Sequence, residues 1–65
     1  MTKEEKLAFE YGRTYKTLNE DKSKLAPCYD ERMAKLVSNT RTEKGHKRNM
    51  RNMIAWHKGL AEQLK

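Results

Sequence analysis

The sequence has little of several things that whole classes of protein require. It has one cysteine, one proline and three glycines in 65 residues, and no apolar run approaches the roughly 20 residues needed to span a bilayer. Because Cys28 is alone, it has no internal disulfide partner, and a reducing compartment fits best. The first ten residues, "MTKEEKLAFE", carry acids and lack the apolar core of a signal peptide. We therefore expect a cytoplasmic protein that does not bind or cross membranes.

Few turn-forming residues also limit the fold. One proline and three glycines are too few for a β-rich chain with many turns. A chain of this length is one domain, residues 1–65, and buries only about 60% of the surface that its unfolded form exposes. Its few large apolar side chains must form one small core, or share a core with a second copy in a homodimer. We predict an all-α fold, a compact bundle of three helices with a long basic C-terminal helix.

The first two helices are placed by capping residues and apolar spacing. Thr2 and Glu5 form a capping box that starts the first helix, and residues 19–24 are polar enough to end it. Pro27 suits the first position of a second helix, which the residues 38–40 should stop. The first helix carries an apolar stripe that is core or interface: Leu7, Tyr11, Tyr15 and Leu18. The second helix carries a stripe of its own: Tyr29, Met33, Leu36 and Val37.

Gly12 interrupts the first predicted helix and has two interpretations. It is either a tolerated glycine, at a cost of about 1 kcal/mol relative to alanine, or a place where a backbone or a ligand approaches closely.

The third predicted helix runs from about residue 41 to about residue 64, with Thr40 as its cap. Helical periodicity places several mostly apolar residues on one side of this helix, which we expect to be buried: Met50, Met53, Ile54, His57, Leu60, Ala61 and Leu64, with Trp56 at the edge. The opposite side is basic: Arg41, Lys44, Lys47, Arg48, Arg51 and Lys58, flanked by Asn49 and Asn52. Residues 41–65 hold seven basic and two acidic side chains, whereas residues 1–40 hold eight and seven. The excess positive charge of the chain therefore belongs to this helix.

Nucleic acid is the partner that this charge pattern favours. Lys44 with Arg48, and Lys47 with Arg51, are like-charge pairs four residues apart, which destabilise a helix slightly unless an anion offsets them. Phosphate contacts by lysine and arginine release counterions and supply most sequence-independent affinity. The amides of Asn49 and Asn52 add hydrogen-bond donors for phosphate, ribose or base edges. We expect a non-catalytic regulator that binds structured RNA in preference to DNA.

Two other kinds of partner remain open. One is an acidic protein surface, bound by a small inhibitor or adaptor of the phage type, with interface candidates Phe9, Tyr11, Tyr15 and Trp56. The other is DNA, with the third helix in the major groove. Membrane-surface binding ranks lowest, since the apolar side is assigned to the core.

No enzyme site or metal site is recognisable in the sequence. His46 and His57 are roughly 16 Å apart along a helix, too far to share a metal ion. Cys28 at a helix start could ionise more easily, but no histidine, aspartate or glycine-rich element completes a nucleophilic site beside it. We predict a non-enzyme with no cofactor.

Three short stretches resemble the ribosome modulation factor family: "AFEYGRTY" at 8–15, "PCY" at 27–29 and "AWHKGLAE" at 55–62. The positions that match in kind are Gly12, Cys28, Tyr29, Trp56 and Gly59, although the family has Cys-Pro-Tyr where this chain has Pro-Cys-Tyr. The resemblance implies a basic, helical, cytoplasmic protein that binds the small ribosomal subunit through ribosomal RNA and silences translation.

Overall fold

Within the residues that the structure describes, two α-helices pack against each other, and two short 3-10 segments lie between them in the chain. The computed structural model describes residues 1–15, 25–37 and 41–65, and none of these residues lies in a strand. Helix α1 is Lys3–Thr14, the 3-10 segments are Pro27–Tyr29 and Glu31–Lys35, and helix α2 is Glu43–Gln63. The all-α prediction is confirmed, but the three-helix bundle is wrong, because the expected second helix is absent from the described residues.

Helix α1 begins as the sequence predicts. Thr2 Oγ1 accepts from the backbone N–H of Glu5 at 3.1 Å, and Glu5 Oε1 accepts from the backbone N–H of Thr2 at 3.3 Å. This capping box satisfies two donors that a helix start leaves unpaired. The helix ends at Thr14, and Tyr15 is extended. The predicted connection at 19–24 and Leu18 lie outside the described residues.

Asp30 explains why the middle segment is not one helix. Pro27 does open the segment, as predicted, but Asp30 has φ −99° and ψ 107°, and its side chain accepts from the backbone N–H of Arg32 at 3.1 Å. An aspartate that bonds its own neighbouring backbone competes with helix formation. The segment is therefore split into two turns of 3-10 helix, from which Met33 and Leu36 enter the core, while Tyr29 is exposed.

Helix α2 starts slightly later than predicted. Thr42 Oγ1 accepts from the backbone N–H of Gly45 at 3.0 Å, and the helix then runs through Gln63. The predicted cap, Thr40, lies outside the described residues. The long basic C-terminal helix itself is confirmed.

The two helices cross at a pair of glycines. A methyl group added to Gly12 would lie 1.9 Å from the carbonyl oxygen of Trp56, and one added to Gly59 would lie 2.0 Å from the carbonyl oxygen of Phe9. Side chains at these positions would hold the two backbones apart. Of the two interpretations of Gly12, close approach of another backbone is therefore correct.

This close crossing overturns the predicted core side of α2. The buried residues of α2 are mostly small, amide or indole: Gly45, Asn49, Asn52, Ala55, Trp56 and Gly59, with Leu60 as the one large aliphatic residue among them. The predicted apolar side is mostly exposed: Met50, Ile54, His57, Ala61 and Leu64. Leu60 alone of that set is buried, and Met53 is partly buried. Where helix backbones nearly touch, large apolar side chains do not fit between them, so the narrow, glycine-containing side faces inward.

The core is correspondingly small. Its buried apolar members are Ala8, Met33, Leu36, Ala55, Trp56 and Leu60. In α1, Ala8 and Gly12 are buried, and Tyr11 and Tyr15 of the predicted stripe pack partly buried against the core, whereas Leu7 is exposed. Neither described helix is long and apolar enough to cross a membrane.

Candidate nucleic-acid interface

Four basic side chains of α2 lie together on its solvent side: Lys44, Lys47, Arg51 and Lys58, which we call the basic strip. All four are exposed. Lys47 Nζ lies 3.5 Å from Glu43 Oε1, a pair that is largely in solvent and therefore worth little. Lys44, Arg51 and Lys58 form no salt bridge within the part of the chain that the structure describes. Arg41, exposed just before α2, extends the positive charge toward the start of the helix.

Arg48 is turned away from this strip. Its Nε donates to Glu4 Oε1 at 2.6 Å, and its Nη2 donates to the other carboxylate oxygen of Glu4. The bidentate bond joins α2 to the first turn of α1, and hydrogen bonding from Arg48 lowers the pKa of Glu4. The like-charge penalty predicted for Lys44 and Arg48 is thus relieved inside the molecule. Arg48 has an internal role, which leaves it less suited to a ligand than the strip residues.

The two asparagines expected to flank the basic side are buried. Asn49 and Asn52 are each 1% exposed, and Asn52 Nδ2 donates to the carbonyl oxygen of Leu36 at 2.9 Å. That bond holds the 3-10 segment on α2. The expectation that these amides present donors to phosphate or bases was wrong, because they lie on the core side of the helix.

The aromatic side chains proposed for a protein interface also pack inward. Trp56 is fully buried, and Phe9, Tyr11 and Tyr15 are partly buried against the core. The ring of Tyr15 meets that of Trp56 edge-on, with centroids 5.2 Å apart. The prediction that Trp56 lies at a protein interface is therefore corrected, because its side chain lies in the centre of the core.

A buried carboxylate that the sequence did not predict, Asp30, pairs with Arg32, whose side chain is 41% exposed. Asp30 is 5% exposed; its Oδ1 accepts from Arg32 Nε and its Oδ2 from Arg32 Nη2 and from Trp56 Nε1, each at 3.0 Å. Burial alone would raise the pKa of Asp30, but hydrogen bonds from Arg32 and Trp56 outweigh it and lower the pKa. Arg32 Nη2 also donates to the carbonyl oxygen of Tyr11 at 2.9 Å. Arg32 Nη1 donates to Thr14 Oγ1 at 3.0 Å as well, so Asp30 and Arg32 are engaged in contacts that join the 3-10 segments to both helices.

The remaining candidates do not come together. His46 and His57 are both exposed, and His57 contacts the edge of Trp56. Cys28 is exposed at the first 3-10 turn. Among residues 1–15, 25–37 and 41–65, no three histidine, cysteine, aspartate or glutamate side chains are grouped as metal ligands would be.

No protein-family model, curated protein or solved structure matches this chain. Of the residues that carry the resemblance to ribosome modulation factor, Gly12, Trp56 and Gly59 meet at the helix crossing, whereas Cys28 and Tyr29 are exposed. Close backbone packing accounts for glycine at positions 12 and 59, and the indole of Trp56 fills the core and donates to Asp30.

Proposed function

We propose that the protein is a non-catalytic nucleic-acid-binding protein that contacts phosphates through the basic strip of α2. The observation that carries the proposal is the exposure of Lys44, Lys47, Arg51 and Lys58 along one side of a single helix. Lys44, Arg51 and Lys58 recur every seven residues, so neighbours are about 10 Å apart along the axis. A row of cations of this length matches an extended row of phosphates better than a single anion.

Structured RNA is the preferred ligand class within this proposal. The support comes from the resemblance to ribosome modulation factor, which implies ribosomal RNA. Sequence-specific DNA readout has less support, because Asn49 and Asn52, the amides best suited to base edges, are buried. Phosphate contacts alone would give binding that depends on salt and little on sequence.

A charge-reversal variant tests the basic strip. In Arg51→Glu/Lys58→Glu, affinity for a fluorescein-labelled structured RNA should fall at least tenfold, because two phosphate contacts become repulsive. The slope of log affinity against log salt should also fall by about 2, since each lost phosphate contact removes about 0.9. Fluorescence anisotropy between about 50 mM and about 200 mM salt measures both quantities, and circular dichroism checks that the variant stays helical.

The matched control is Lys6→Glu/Lys35→Glu, which makes the same change in net charge at exposed positions outside α2. It should retain most of the affinity. Equal losses in the two variants would mean that binding reflects overall charge rather than the strip. An undiminished affinity in Arg51→Glu/Lys58→Glu would remove α2 from the binding surface.

A further inference from the structure

The solvent side of α2 carries a second feature beside the basic strip. Five residues follow one another at spacings of four, three, four and three, and we call them the outer strip: Met50, Ile54, His57, Ala61 and Leu64. All five are exposed, and the large aliphatic side chains Met50, Ile54 and Leu64 are 44%, 50% and 58% exposed. The strip is about 21 Å long. It is the side of α2 that hydrophobicity assigned to the core and that the glycine crossing leaves in water.

This arrangement differs from scattered surface hydrophobes. Single exposed apolar residues are ordinary, but alternating steps of three and four place these side chains in one row, the pattern by which helices pair in coiled coils. Burial of a large aliphatic side chain contributes binding free energy in proportion to the apolar area removed from water. A helix laid along the row would recover part of that contribution.

Charge along the edge of the outer strip indicates what kind of helix fits. Arg51 directly follows Met50, and Lys58 directly follows His57, so both lie on the same edge, seven residues apart, as does Lys44. Positions on such an edge set partner choice and orientation in paired helices. A partner with acidic side chains facing this edge is attracted, and one with basic side chains is repelled.

A second copy of the chain is a poor occupant by this criterion. Its own edge positions hold Lys44, Arg51 and Lys58 on one side of the strip and Met53 and Leu60 on the other. The two acids of α2, Glu43 and Glu62, already pair with Lys47 and Lys65 of the same chain, so a second copy offers the basic edge no acid that is not already paired with a lysine. The net charge of +6 adds general repulsion between copies.

We propose that the outer strip docks an amphipathic helix of another protein, one that carries aspartate or glutamate along the edge facing Lys44, Arg51 and Lys58. The apolar side chains of the partner pack on Met50, Ile54 and Leu64, and its acids pair with the basic edge. Helix-in-groove recognition of this kind uses anchors at helical spacing. The surface is distinct from phosphate binding in that it requires the apolar row as well as the cations.

A designed peptide tests this surface. The probe is a fluorescein-labelled amphipathic peptide with leucine and isoleucine at heptad core positions and glutamate at the flanking positions; its matched partner has lysine in place of each glutamate. The acidic peptide should bind saturably in fluorescence anisotropy, and the lysine peptide at least tenfold more weakly. Ile54→Ser and Arg51→Glu should each weaken binding of the acidic peptide at least tenfold.

Leu7→Ser is the control, because Leu7 is an exposed aliphatic residue of similar exposure on α1, and it should bind the acidic peptide like the parent protein. Circular dichroism verifies that all variants are folded. The proposal is overturned if Ile54→Ser binds the acidic peptide as the parent does. It is also overturned if sedimentation equilibrium shows a dimer that Ile54→Ser converts to monomer, since the strip is then covered by a second copy.

Two further measurements test whether nucleic acid or lipid, rather than a helix, binds the outer strip. Ile54→Ser should leave the affinity for structured RNA within twofold of the parent. Arg51→Glu should weaken the binding of both RNA and the acidic peptide. If Ile54→Ser lost as much RNA affinity as Arg51→Glu, the outer strip would belong to the nucleic-acid interface, and the proposal would be overturned. Vesicles of phosphatidylcholine with phosphatidylserine should not bind the protein through Ile54. Vesicle binding that Ile54→Ser abolishes, without peptide binding, would likewise overturn it. If the acidic peptide does not bind, the docking proposal fails, but the RNA measurement on Arg51→Glu/Lys58→Glu still tests the proposed nucleic-acid binding. The two proposals are therefore tested separately.

Discussion

At the scale of single residues, Gly59 sets how closely α2 can approach α1. A methyl group there would lie 2.0 Å from the carbonyl oxygen of Phe9 and 2.8 Å from the backbone nitrogen of Arg13. Both atoms belong to the backbone of α1, which cannot rotate aside as a side chain can. The absence of a side chain, rather than backbone flexibility, is what this position requires.

Replacing Gly59 with alanine should therefore destabilise the protein, although alanine favours a helix more than glycine does. We expect the free energy of unfolding to fall by about 3 kcal/mol, at the upper end of the usual effect of overpacking. That is a large part of the total stability of so short a chain. Urea unfolding followed by circular dichroism measures the change, and Lys58→Ala at the neighbouring exposed position should stay within about 0.5 kcal/mol of the parent. Equal stability of the two variants would contradict a backbone crossing at Gly59.

At the scale of elements, α2 shows why hydrophobic spacing identified the helix and chose the wrong side. Met50, Ile54 and His57 recur at helical spacing, but so do Asn52, Trp56 and Gly59. The first row is the more hydrophobic of the two, so hydrophobicity predicts that it faces the core. No local property of α2 shows that the backbone of α1 comes into contact with the backbone of α2. The glycines at 12 and 59 were the available signal, because two small positions on different helices indicate a close crossing.

The start of α2 is an element whose stability has a local cause. Thr42 caps the helix through its bond from the backbone N–H of Gly45, so Thr42→Ala should lower the free energy of unfolding by about 1 kcal/mol. Thr42→Asp keeps an acceptor at the cap and should remain close to the parent. Urea unfolding of the three proteins provides the comparison. If alanine and aspartate at this position gave the same stability, the helix would begin elsewhere.

At the scale of the whole molecule, the buried contacts of Asp30 join parts that are distant in sequence. Trp56, 26 residues away, donates to Asp30 from α2, and Arg32 reaches the carbonyl oxygen of Tyr11, 21 residues away, in α1. The guanidinium of Arg32 also lies 4.7 Å from the ring centre of Tyr11. The capping box of α1 and the existence of helix α2 were predictable because they depend on neighbouring residues. The contacts that Asp30 makes with Arg32 and Trp56, which we call the Asp30 hub, were not predictable, because nothing near Asp30 in the sequence identifies Trp56 as its donor.

The Asp30 hub predicts how stability depends on pH. The pKa of Asp30 lies below its ordinary value of 3.8 in the folded protein, because the bonds from Arg32 and Trp56 outweigh burial, which acts in the opposite direction. A carboxyl of this kind contributes stability that is fully present above its unfolded-state pKa and is lost as pH falls through its folded-state pKa. The free energy of unfolding should therefore decline as the solution is acidified below an ordinary aspartate pKa. Urea unfolding at a series of pH values measures the decline.

Asp30→Asn separates this contribution from those of other carboxylates. Asparagine keeps an oxygen for Trp56 but cannot accept both guanidinium donors, so the variant should be about 2 kcal/mol less stable near pH 7. Its stability should change less with pH, and the two curves should converge in acid as Asp30 of the parent is protonated. Glu4 also has a lowered pKa, through Arg48, so Glu4→Gln serves as the second reference, and its curve should keep the Asp30 decline. Curves for the parent and Asp30→Asn that stay parallel throughout would show that Asp30 titrates alike in the folded and unfolded chain, and the hub would then contribute no pH-dependent stability.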